Sequence, residues 1–84
     1  TLRQNYPNPF NPSTQINFSI PQNMNVNLSV YNALGQKVKT LKNEMMTAGT
    51  HTVQFDGSSL SSGIYYYRLI SSGTVQTMKM MLVK

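Results

Sequence analysis

The sequence predicts an all-β fold, an antiparallel β-sandwich of about six or seven short strands. Apolar and polar residues alternate with a period of two in several segments, as in strands that bury one face. Turn residues interrupt the chain roughly every 8–12 residues, a spacing typical of sandwiches. No segment has sustained helical spacing, and 84 residues suffice for one small domain.

Each strand prediction follows from this alternation. In the first strand Ile16, Phe18 and Ile20 share a face, and the second repeats the pattern. Residues 22–24 are expected to form a hairpin between these two strands, and Asn43–Ala48 an irregular link. The fifth strand is apolar on both faces, which predicts a central position. The strands are Gln15–Ile20, Asn25–Val30, Lys37–Leu41, Thr50–Phe55, Ile64–Ile70 and Val75–Val83.

A segment rich in proline and asparagine, residues 1–13, leads into the sandwich of residues 14–84 and is called the leading segment below. Its three prolines fix φ and lack an N–H, so it can be neither helix nor central strand. Because disordered linkers are poor in aromatic residues, Tyr6 and Phe10 predict an ordered segment anchored by both rings. The prolines are Pro7, Pro9 and Pro12.

Charge is sparse and unbalanced, with seven Lys and Arg residues against Glu44 and Asp56, a net charge of +5. The cations are scattered, so we expect a solvated surface rather than a nucleic-acid interface. No cysteine is present, which excludes disulfides and thiolate metal sites. No apolar run approaches the ~18 residues that span a bilayer. Because Thr1 is not an initiator, the chain is expected to be the C-terminal piece of a longer protein.

The chain has too few titratable groups for an enzyme. His51 is the only histidine, and strand parity places Asp56 on the opposite face from it. His51 shares the face of Val53 and Phe55, which favours a packed or edge histidine over a catalytic base. One histidine and isolated carboxylates are too few for a zinc or calcium site, so neither metal nor cofactor is expected. Asp56-Gly57 is interpreted as a turn.

The tyrosines and methionines leave two functional alternatives open. Tyr65 and Tyr67 share the face of Leu69 and are expected in the core, while Tyr66 points to the other side. An exposed aromatic site for carbohydrate therefore remains only an alternative. The methionines of the last strand favour core packing. The end of that strand could still hold a partner by strand addition or by capture of the terminus.

Three groups of residues resemble the type A C-terminal sorting domains of the type IX secretion system. The first is Leu2-x-Gln4-Asn5-Tyr6-Pro7-Asn8-Pro9-Phe10-Asn11-Pro12-x-Thr14-x-Ile16-x-Phe18-x-Ile20-Pro21. The second is Val30-Tyr31-Asn32-x-Leu34-Gly35-Gln36-x-Val38 and Ala48-Gly49-x-His51-x-Val53-x-Phe55-Asp56-Gly57. The third is Leu60-x-Ser62-Gly63-x-Tyr65-x-Tyr67-x-Leu69 and Lys79-Met80-x-Leu82-x-Lys84. The immunoglobulin-like domain of flagellar hook-capping proteins is similar in pattern.

The resemblance implies an immunoglobulin-like, non-catalytic signal that directs an attached cargo, such as a secreted enzyme or adhesin, across the outer membrane. The cargo would pass through the periplasm to the cell surface or medium. Outer-membrane translocation machinery and a sortase-like protease are the implied partners. The alternative is a retained accessory module for carbohydrate or cell-surface attachment. The residues implied for recognition by the machinery are Lys79, Met80, Leu82 and Lys84. The implied structural signature is Tyr6, Pro7, Pro9, Phe10, Pro12, Gly35, Gly49, Gly63, Tyr65 and Tyr67.

Overall fold

A computed structural model describes all 84 residues and confirms the all-β sandwich. Six strands form two antiparallel sheets, one of two strands in the order β1-β4 and one of four in the order β3-β2-β5-β6. β5 lies between β2 and β6, which confirms the central position predicted for it. The strands are β1 (Ser13–Ile20), β2 (Met24–Asn32), β3 (Lys37–Met46), β4 (Gly49–Asp56), β5 (Gly63–Ser71) and β6 (Thr74–Leu82).

The alternation places the predicted apolar faces in one core between the sheets. Fifteen apolar residues are buried there, including Tyr65, Tyr67 and Leu69 of β5. Tyr66 lies on the opposite face and is half-buried, as the strand parity predicted. The core residues are Leu2, Phe10, Ile16, Phe18, Ile20, Val26, Leu28, Val30, Val53, Phe55, Tyr65, Tyr67, Leu69, Met80 and Leu82.

Two predicted connections are wrong. β1 pairs with β4 and not with β2, so the residues between β1 and β2 carry the chain from one sheet to the other. A short turn between two alternating segments can connect two strands of a hairpin or two strands in different sheets. The sequence does not distinguish these cases, because they differ only in which strands pair. β3 continues to Met46 through the predicted irregular link at Asn43–Ala48. An edge strand needs few buried side chains, so its polar sequence did not reveal it. Its pairing with β2 has two register shifts, and Val38 and Leu41 of β3 pack against the core.

The leading segment is ordered and follows two strands in turn. Its first half pairs with β1: the Tyr6 N–H donates to the Gln15 carbonyl at 3.0 Å, and Gln15 returns a bond at 2.9 Å. Its second half crosses to β6, where Phe10 enters the core and meets Phe55 edge-on with ring centroids 6.0 Å apart. Only one ring anchors the segment, because the Tyr6 side chain is 78% exposed. The prediction of two aromatic anchors is therefore wrong, and Tyr6 is held by its backbone.

Buried polar groups fasten the leading segment to the sandwich. Asn5 and Thr14 are almost fully buried, and the Asn5 side-chain amide donates to the Thr14 hydroxyl oxygen at 3.0 Å. The Thr14 hydroxyl in turn donates to the Pro7 carbonyl at 2.9 Å. The Asn5 backbone N–H donates to the Tyr67 hydroxyl oxygen at 2.8 Å. Each bond satisfies a group that would be costly to bury alone.

Candidate recognition surface at the last strand

The residues from Lys79 to Val83 alternate between solvent and core, and Lys84 follows them in solvent. Met80 is 1% exposed and Leu82 is fully buried, whereas Lys79, Met81 and Lys84 are exposed. β6 pairs with β5 through its whole length, with Met80 opposite Tyr65 and Lys79 opposite Tyr66. The pairing fixes which side chains a partner can reach. In the folded domain only the lysines and their exposed neighbours can be touched from outside.

The outer edge of β6 is occupied by the leading segment. The Phe10 N–H donates to the Met81 carbonyl at 2.9 Å, and the Val83 N–H donates to the Phe10 carbonyl at 3.0 Å. Side chains cap two further groups: Asn8 accepts from the Met81 N–H at 3.0 Å and Gln4 donates to the Lys79 carbonyl at 2.8 Å. Strand addition needs unpaired backbone groups at an edge. In the folded domain these groups are already paired, so strand addition at this edge requires the leading segment to leave and stays a prediction.

Lys84 is held by the loop that joins β4 to β5. Its backbone N–H donates to the Ser62 hydroxyl oxygen at 3.0 Å, and its ammonium donates to the Ser58 carbonyl at 2.6 Å. The Ser58 backbone N–H donates to the Asp56 carboxylate at 2.9 Å, which confirms the predicted Asp-Gly turn. Hydrogen bonds from Ser58 keep the pKa of Asp56 below its ordinary value, and the positive charges of Lys39 and Lys84 act in the same direction.

A shallow groove of about 250 Å³ lies beside the exposed part of β6. The leading segment forms one wall through Asn8 and Pro9, and β5 forms another through Ile64. Lys79, Met80 and Met81 complete the lining. The groove therefore has an apolar floor and a cationic rim formed by Lys79, one of the residues that the resemblance implies for recognition.

His51 occupies the packed position that its strand parity predicted. Its ring lies against Phe18 with centroids 5.5 Å apart, and Nε2 lies 2.7 Å from the Thr47 carbonyl oxygen. No group of three or more His, Cys, Asp or Glu side chains is close enough to hold a metal ion. The structure contains no helix of the length and apolar character needed to cross a membrane.

The glycines of the predicted signature lie at chain reversals and strand starts. Gly35 has a φ of 86° in the turn between β2 and β3, a conformation that side chains disfavour. Gly49 and Gly63 open β4 and β5. Their place in the structural signature of the family, which the resemblance implies, stays a prediction. Sequence reasoning missed the groups that hold β6 from outside, Gln4, Asn8, Ser58 and Ser62, since no local pattern reports bonds across so many residues.

The chain is a small two-sheet sandwich whose last strand is anchored by the leading segment. A family model described as the secretion system C-terminal sorting domain matches residues 4–84, and the chain belongs to this family. Comparisons with curated proteins and with solved structures find no significant match. Domains of this family are non-catalytic sorting signals for type IX secretion, which implies an attached cargo exported to the cell surface or medium.

Proposed function

We propose that the secretion machinery recognises this domain at the end of β6, with Lys79 and Lys84 as the direct contacts. Met80 and Leu82 act through the core by fixing the position of the strand. The cargo, joined ahead of the leading segment, crosses the periplasm with the sandwich folded. A sortase-like protease then separates the domain from the cargo outside the cell.

The observation that carries this proposal is the alternation of exposure along β6. Two buried apolar side chains, Met80 and Leu82, hold the strand while the lysines on either side remain in solvent. Long cationic side chains on a fixed strand suit recognition by an acidic site, because less conformational entropy is lost when the backbone is already ordered. Residues 79 and 84 are separated by about 16 Å along an extended chain, which spaces the two charges for two separate contacts.

The test uses a reporter protein fused ahead of residues 1–84 in a bacterium that has type IX secretion. Replacing both lysines, Lys79→Ala with Lys84→Ala, is expected to lower surface and medium reporter about tenfold or more, with accumulation in the periplasm. Lys39→Ala removes an exposed lysine of β3 and serves as the matched control, with export at the wild-type level. Thermal unfolding of each purified domain checks that the fold is intact.

Point substitutions test the proposed contacts more directly than deletion of residues 79–84 does. The deletion removes two core side chains, Met80 and Leu82, and the backbone groups that are hydrogen-bonded to Phe10. It would therefore report mainly on folding. Met80→Ala or Leu82→Ala should destabilise the domain by about 2–5 kcal/mol through the cavity each leaves. Wild-type export by a folded Lys79→Ala/Lys84→Ala domain would overturn the proposed contacts. Equal loss in the Lys39→Ala control would point to general surface charge instead.

A further inference from the structure

The four-stranded sheet has an outer face that no other element covers, because the β1-β4 sheet packs on the inner face. Across this outer face the strand register brings two tyrosines side by side, Tyr31 of β2 opposite Tyr66 of β5. Lys79 of β6 lies opposite Tyr66, and Lys37 of β3 lies opposite Tyr31. A row of two aromatic rings flanked by two lysines therefore runs across the sheet, with neighbouring strands about 4.8 Å apart.

Arg68 lies in the adjacent row of the same face and is held in place by Tyr31. Its guanidinium carbon is 4.6 Å from the centre of the Tyr31 ring, within the range of a cation–π contact. The Arg68 Nε is buried and has no hydrogen-bond partner. The two outer nitrogens, Nη1 and Nη2, are not buried in this way. Such a guanidinium is fixed by stacking and presents its outer nitrogens to whatever docks above the sheet.

No carboxylate balances the positive charge of this face. The chain has only two acidic side chains, Glu44 and Asp56. Glu44 lies opposite the buried Val26, so its row belongs to the other face of the sheet, and Asp56 ends β4 in the second sheet. Lys37, Arg68 and Lys79 therefore form a cationic triangle without a counter-charge from their own chain.

We propose that this tyrosine–arginine face (Tyr31, Lys37, Tyr66, Arg68 and Lys79) docks an acidic segment of a partner protein. Arg68 donates two hydrogen bonds to one carboxylate, and the lysines at the rim donate to further acidic side chains. Tyr66 and the neighbouring Met81 give the apolar contact. The proposal goes beyond recognition at the end of β6 and shares only Lys79 with it.

A protein partner fits this face better than a sugar or a lipid surface. Sugars stack on open ring faces, but Arg68 already covers one face of the Tyr31 ring. Basic patches that bind anionic lipids have about 4–8 Lys or Arg residues, and this face has three. Tyrosine and arginine are among the residues enriched at the energetic centres of protein interfaces. Arg68, held above the ring of Tyr31, gives this face the composition of a protein-binding site.

The test measures binding of the 84-residue domain to a fluorescein-labelled peptide of alternating Glu and Ser. The control peptide carries Gln in place of Glu. We expect the acidic peptide to bind in a salt-dependent manner and the Gln peptide to bind at least about tenfold more weakly. Arg68→Gln should lower the affinity about tenfold, and Arg68→Lys should recover only part of it because an ammonium lacks the planar fork. Lys39→Ala, on the same strand as Lys37 but in the row of buried Val30, should bind like the wild type.

A second measurement does not depend on any variant folding. In the wild-type domain, titration with the acidic peptide should shift the NMR signals of the Arg68 Nε–H and the Tyr31 and Tyr66 amides, but leave those of β4 in place. Shifts confined to other residues would overturn the proposal, as would equal binding of the Gln peptide. Tighter, Arg68-dependent binding of polygalacturonate or of phosphatidylglycerol vesicles would assign the face to a glycan or a membrane and overturn the protein partner.

Discussion

At the residue scale, Tyr67 joins the leading segment to the core through its hydroxyl group. The hydroxyl accepts a bond from the Asn5 N–H at 2.8 Å and donates to the Arg3 carbonyl at 2.7 Å. Its ring is fully buried beneath these contacts. Burial raises the pKa of Tyr67 to about 12, while the bond from Asn5 acts in the opposite direction. Neutral Tyr67 is therefore part of the folded state, and its phenolate is not.

This shift predicts that the domain loses stability at high pH. Because the pKa is higher in the folded state than in the unfolded state, the contribution of Tyr67 is fully present below about pH 10. It is lost as the pH rises towards about 12, where the unfolded chain gives up a proton that the folded chain retains. Urea unfolding at a series of pH values should show a falling free energy of unfolding over this window.

Tyr67→Phe separates this tyrosine from the other groups that titrate near pH 10. The variant should be less stable at neutral pH by about 1–3 kcal/mol, since the buried Asn5 N–H loses its acceptor. Its stability should decline less than that of the wild type between pH 10 and 12. Identical declines in the two proteins would show that the Tyr67 hydroxyl does not control the high-pH transition.

At the scale of elements, the period-two alternation predicted the strands with one clearly buried face. Ile16, Phe18 and Ile20 all lie in the core, as their spacing required. The extension of β3 to Met46 was missed because an edge strand carries polar residues such as Asn43 on both faces. The route of the leading segment could not be predicted either, because its contact with β6 joins Phe10 to Leu82. No local pattern contains a pairing between such distant positions.

The unequal burial of the two aromatic residues gives a prediction about the leading segment. Phe10→Ala should lower the free energy of unfolding by about 3–5 kcal/mol, because it empties a core position that contacts Phe55. Tyr6→Ala should change it by less than about 0.5 kcal/mol, since its side chain is 78% exposed. Chemical unfolding of both variants provides the measurement. Similar losses in the two variants would restore the interpretation of two ring anchors.

At the scale of the whole molecule, the two ends of the chain stabilise each other. Phe10 is bonded to both Met81 and Val83, and Gly57 donates to the Pro12 carbonyl at 2.8 Å. Gly57 is packed so closely that an added Cβ would lie 3.2 Å from Leu82 and 3.3 Å from Phe10. The sequence predicted the last strand with its lysines. It did not predict that the leading segment pairs with the outer edge of this strand. The position of β6 therefore depends on contacts from both ends of the chain.

This coupling predicts that the leading segment and β6 unfold together with the sheets. The amides of Phe10 and Val83 should exchange with deuterium only through global unfolding, which costs roughly 4–12 kcal/mol for a domain of this length. The Leu60 amide, bonded to the Gly57 carbonyl in an exposed loop, should exchange faster and serves as the internal reference. In Phe10→Ala the Val83 amide should lose more protection than the amides of β2, because its acceptor is no longer held by a buried ring. Exchange of Phe10 and Val83 as fast as that of Leu60 in the wild type would mean that the leading segment detaches by itself, and that the edge of β6 is open to strand addition after all.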